Sequence, residues 1–110
     1  MSREDYAYGL NNLTSNEVVI TVPLAGGMIL PPSATRVGVR FSSPTTNRVT
    51  ILSGRQPILD GGYNAYPATA RGPEFCAAIQ GSITQKPFYG IAAVADQVIV
   101  CVETHNLRGD

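Results

Sequence analysis

The sequence has no tryptophan, two cysteines, one histidine and a single lysine. Each shortage excludes a class of chemistry. Cys76, Cys101 and His105 cannot complete a standard four-ligand structural zinc site, and two cysteines are too few for a disulfide-dense secreted scaffold. The pair reads as two reduced, buried thiols, with a bond between them left open. A Ser-His-Asp or Cys-His centre would have to run through His105, and Cys101 lies too close to it along one strand to converge simply. Charged residues make up 15%, against about 25% in an average soluble domain. With a net charge of zero, a basic nucleic-acid binder and an acidic-tail protein are both poor fits. No apolar run approaches the roughly 20 residues that span a bilayer. Residues 1–5 carry two acids and lead into no apolar segment, which argues against a secretory signal. No phosphate loop, dinucleotide fingerprint or metal-binding helix is present. The acids mostly stand at strand ends or turns rather than as a pair across a cleft. The expectation is a protein that is not an enzyme and uses no cofactor and no metal.

What is present is a β pattern in 110 residues, a length that suits one domain. Residues 1–16 read as a polar N-terminal arm, 17–104 as a β-sandwich domain and 105–110 as a polar tail. Strands are expected at Glu17–Val22, Thr35–Ser42, Arg48–Ser53, Pro87–Ala93 and Gln97–Glu103, and Met28–Leu30 is a short apolar piece closed by Pro31-Pro32. Thr35–Ser42 alternates most cleanly, with Val37, Val39 and Phe41 on one face and Arg36, Gly38 and Arg40 on the other. The Ser43–Asn47 turn predicts a hairpin with Arg48–Ser53. Gly54–Gly72 reads as a long ordered loop with a brief strand at Gln56–Leu59, and Pro73–Gln80 suits either a strand or a helical turn. Val98–Val102 is apolar on both faces and belongs at the centre of a sheet or between layers. No helical window of ten residues or more appears. The fold class is all-β: a small antiparallel sandwich or jelly-roll-like barrel.

The zero net charge is unevenly spread. Residues 36–71 carry Arg36, Arg40, Arg48, Arg55 and Arg71 against Asp60, and both flanking stretches are acidic. Arg36, Arg40 and Arg48 are candidate partner-binding residues, read either as solvated and internally paired or as forks that meet a neighbour's carboxylates. Tyr63 and Tyr66 either cover the end of the sandwich or make contacts, because tyrosine is enriched in interfaces. The Asn12-Leu13-Thr14 sequon and the Arg108-Gly109-Asp110 tripeptide are discounted as chance matches.

The order of these segments resembles a known group. An Arg-bearing strand follows a Pro-rich turn (Pro31-Pro32-Ser33-Ala34-Thr35-Arg36-Val37-Gly38-Val39-Arg40-Phe41). A return strand comes next (Arg48-Val49-Thr50-Ile51-Leu52), then a Gly-rich loop from Asp60 to Pro67. Pro87-Phe88-Tyr89-Gly90-Ile91-Ala92-Ala93 precedes a final valine-rich strand that ends at Glu103. Over residues 30–104 this pattern resembles the capsid decoration, or cement, proteins of tailed bacteriophages. The two cysteines and the segment Pro73–Gln80 depart from it. The resemblance implies a non-enzymatic virion protein, assembled in the host cytoplasm, that binds the major capsid protein or neighbouring virion subunits. It implies a homotrimer at threefold positions of the shell, with no nucleic acid or membrane as partner. A carbohydrate-binding or adhesin-like module and a head–tail connector or tail component are the alternatives.

Overall fold

The structure, a computed structural model, describes residues 13–67 and 72–106. Eight strands run in chain order: β1 (Leu13–Val22), β2 (Gly27–Leu30), β3 (Arg36–Phe41), β4 (Val49–Ser53), β5 (Tyr63–Ala65), β6 (Glu74–Cys76), β7 (Phe88–Ala92) and β8 (Gln97–Asn106). Between β6 and β7 lie one helical turn, α1 (Ala77–Gln80), and a 3-10 turn at Gly81–Gln85. They form two four-stranded antiparallel sheets, ordered β1-β8-β3-β6 and β2-β7-β4-β5. The first strand pairs with the last, the second with the seventh, the third with the sixth and the fourth with the fifth. The chain is thus one long antiparallel ribbon wrapped into a sandwich, the jelly-roll arrangement, as two open sheets and not a closed barrel. Among the described residues, no helix is long and apolar enough to cross a membrane.

Alternation builds the core. Val39 and Phe41 of β3, Val49 and Ile51 of β4, and Ile99 and Cys101 of β8 all turn inward and are buried. Phe41, Phe75 and Phe88 pack edge-to-face or tilted, with centroids 5.1 to 6.3 Å apart. Such pairs add about 0.5–1.5 kcal/mol each beyond the area they bury. Gly90 on β7 lets the sheets close over this layer, since a Cβ there would stand 2.9 Å from Val22 Cγ1.

Several local expectations change. β3 and β4 are not a hairpin: they lie in different sheets, and β3 pairs with β8 and β6. Every connection except β4–β5 crosses between sheets, so neighbours in sequence are mostly not neighbours in a ladder. The brief strand expected at Gln56–Leu59 is instead β5 at Tyr63–Ala65. Pro73–Gln80 satisfies both readings in turn, as β6 followed by α1. The first strand starts at Leu13 rather than Glu17, so residues 13–16 belong to it; the rest of the expected arm lies outside the described residues. β8 does take the middle of its sheet and runs on to Asn106.

Arg36 is the largest correction. It was expected on an outward face with Arg40, but it is fully buried. Pairing steps from Arg36↔His105 to Gly38↔Thr104, so β3 holds one extra residue there. This bulge inverts the alternation and turns Arg36 inward. The interior satisfies it: Nε donates to Thr84 O at 2.8 Å, Nη2 to Lys86 O at 2.8 Å, and Nη1 to Pro31 O at 3.1 Å and to Glu103 Oε1 at 2.9 Å. Its guanidinium carbon lies 5.2 Å from the centre of the Phe88 ring. A buried charge is tolerated only when paired and hydrogen-bonded.

Two predictions follow from this interior. Arg36→Ala strands the Glu103 carboxylate and should cost about 3–5 kcal/mol in urea unfolding. Arg36→Met with Glu103→Leu should cost clearly less; equal losses would contradict the pairing. Burial, then the nearby Glu103, pushes the Cys101 thiol from 9.0 up to about 12, with Arg36 opposing. The folded state therefore keeps a proton that the unfolded chain loses. The stability this carries is intact below pH 9 and falls away as pH rises from there toward about 12. Cys101→Ala should flatten that alkaline loss in pH-dependent melts.

Candidate functional site

The five candidate residues fall in four places. Arg36 is in the core. Arg40 is exposed on the outer face of the first sheet, level with Val102 on β8 and Glu74 on β6. Arg48 and Tyr66 come together at the second sheet. Tyr63 sits at the edge of that sheet, 51% exposed, with its ring edge-on to Phe75 at 5.1 Å.

Arg48 and Tyr66 belong to a polar knot at the end of the loop that follows β4. Asp60 has φ of 64°, the left-handed region that Asp tolerates better than most residues. That conformation aims its carboxylate at Arg48, whose Nε and Nη2 each donate to it at 2.8 Å. The Asp60 amide donates to Thr50 Oγ1, which donates to Asn64 Oδ1 at 2.6 Å. Asn64 Nδ2 donates back to Asp60 Oδ1 at 3.0 Å and to Tyr66 Oη at 3.1 Å. The Arg48 bonds hold the Asp60 carboxyl below its usual range, and the Asp60 bonds raise Arg48. Arg48 is thus committed within the chain, and Tyr66 is 49% exposed.

The outer faces of the two sheets differ. The loop between β4 and β5 covers the second sheet: Gln56 Nε2 donates to Gly90 O at 3.1 Å, and Gly62 lies so close to β4 that a Cβ would stand 2.7 Å from Ile51 O. Thr50, which faces away from the core, is fully buried beneath this cover. Among the described residues, no loop lies over the centre of the first sheet. Val19 and Val98 are 70% and 54% exposed there, and Val100 and Val102 are half-buried. Beside them Gly38 and half-buried Cys76 help line a groove of about 330 Å³ that also touches Leu13, Arg40, Glu74 and Thr104. This face was missed, although the two-sided apolar character of Val98–Val102 carried the signal.

His105 lies between Thr35 and Glu103: Nδ1 is 2.9 Å from Thr35 Oγ1, and Nε2 is 3.5 Å from Glu103 Oε2. The order resembles a hydroxyl–imidazole–carboxylate relay, but Glu103 is already tied to Arg36. The arrangement staples the end of β8 to the turn before β3. Among the described residues, no three His, Cys, Asp or Glu side chains gather as a metal site.

The fold and these surfaces define a small jelly-roll sandwich with one covered face and one bare face. No protein-family model matches the sequence, and no curated protein does. Among solved structures, the chain is similar to one described as "Bacillus endospore appendages form a novel family of disulfide-linked pili". The TM-score is 0.54 at 10% identity, covering 86% of this chain and 88% of that one, a likeness of fold.

The knot predicts a local effect. Asp60→Ala removes both Arg48 bonds and puts alanine at a positive φ, so amide hydrogen exchange should rise across residues 54–66 and stay unchanged in β8. Uniform exchange in both segments would show that the knot does not hold the loop.

Proposed function

We propose that this chain is a non-enzymatic structural protein of a surface assembly and, in its most specific form, a protein that binds and stabilises a bacteriophage capsid. The observation that carries the reading is the pair of half-exposed rings, Tyr63 on a short edge strand and Tyr66 just after it, next to a loop fixed by Arg48 and Asp60. Rings already held in place lose little freedom on docking. Tyr63 and Tyr66 are the contact residues in this reading and Arg48 positions the loop, while Arg40 stands on the opposite sheet and is not one of these contacts. Buried Arg36 is not a contact. The resemblance over residues 30–104 supports a capsid partner on the virion.

A second reading, a subunit of a surface appendage, is favoured by the likeness to the endospore appendage fold and by Cys76, a free and only partly buried thiol in the groove. Electron microscopy of the purified full chain separates the two. Discrete oligomers that coat capsids support decoration; filaments that need Cys76 support the appendage. For decoration, Tyr63→Ala with Tyr66→Ala should cut capsid occupancy about tenfold or more. Unchanged occupancy would overturn the contact map.

A further inference from the structure

The bare face of the first sheet carries a pattern that fits a copy of itself. Glu17 on β1 pairs with Val102 on β8, and Val102 pairs with Arg40 on β3. Successive strands alternate their side chains together, so these three stand in one row on the outer face, an acid, a valine and a base, and Glu74 of edge strand β6, which pairs with Arg40, ends that row. Along β8 the same face continues through Val100 and Val98, which pair with Val19 and Thr21.

We propose that two copies of this chain pack face to face through this sheet, about a two-fold axis running along β8. Such an axis exchanges β1 of one copy with β3 of the other and sets β8 upon β8. Val98, Val100 and Val102 then meet the same residues of the second copy. At one level Glu17 faces Arg40 of the second copy, and Arg40 faces its Glu17. A self-complementary patch of this kind is what a two-fold contact requires, and opposite charges at its flanks fix the register. Packed sheets stand about 10 Å apart, a gap that glutamate and arginine side chains span together.

Area sets the strength. Three strands at about 4.8 Å spacing and some eight residues of length cover roughly 400 Å² per copy. That is below the roughly 800 Å² per partner of a standard stable interface. The pair therefore dissociates on dilution when alone and gains strength within an array, where other contacts hold the copies near each other.

The self-pairing does not depend on the capsid reading: a chain that dimerises yet ignores capsids loses only the latter. Sedimentation equilibrium of the full chain over a wide dilution series should show a monomer–dimer equilibrium. Glu17→Arg and Arg40→Glu each place like charges opposite one another and should weaken dimerisation about tenfold or more. The combined E17R/R40E chain should recover it. Mixing the two single variants should do so as well, because each then meets the opposite charge in the other. Circular dichroism confirms that each variant is folded. A monomer at every concentration, a trimer, or dimers indifferent to all these changes would overturn the proposal. So would a chain that dimerises only after residues 1–12 are deleted, since that segment would then be the occupant of the face.

Discussion

The Arg36 guanidinium ties β3 and its ladder partner β8 to two segments with which they share no ladder. It starts from β3 of the first sheet and reaches the carbonyl of Pro31 beyond β2, those of Thr84 and Lys86 ahead of β7, and the Glu103 carboxylate on β8. Three other chain segments therefore converge on one planar ion, and Phe88 packs beside it. The bulge that turns Arg36 inward also sets where β3 lies against β8, and with it the row that holds Arg40. A buried ion pair adds little net stability compared with a well-packed apolar pair, but it is intolerant of losing either member. Its effect here is to specify how the two sheets meet.

With that end of the sandwich held, the two outer faces are free to differ. The β4–β5 loop lies over the second sheet and is pinned by the Arg48–Asp60 fork, Asn64 and Gln56. The edge of that sheet presents Tyr63 and Tyr66. The first sheet keeps its valines uncovered. A small domain has little stability to spare, so covering a bare aliphatic face by association is physically favourable. The low charge content of the chain fits a surface in which one side meets copies of the chain and the other side meets a different partner.

The all-β class was legible because period-2 alternation and β-branched residues mark strands whatever they pair with. Pairing was less legible. Thr35–Ser42 and Arg48–Ser53 look like a hairpin from the turn between them, but turn composition does not distinguish a ladder from a crossover between sheets. Arg36 was misplaced because one inserted residue inverts alternation, and no residue type at Arg36 or Val37 marks the bulge. Arg40 lies exposed on the outward face that alternation indicates, whereas composition alone left Tyr63 and Tyr66 between covering the sandwich and making contacts. Arg48 was legible as a surface residue, but its bond to Asp60 was not, since it depends on a left-handed turn twelve residues further on. The bare face was visible in part: Val98–Val102 is apolar on both sides, but only the topology shows that one side is left uncovered.

The central claim is that the two faces have different tasks, the first sheet for a copy of the chain and the second for another partner. An electron cryomicroscopy map of the chain in its native assembly tests this most directly. The account predicts that the outer face of β8 is covered by β8 of a second copy, while Tyr63 and Tyr66 touch a chemically different surface. A map in which Val98 and Val100 face open solvent would contradict it.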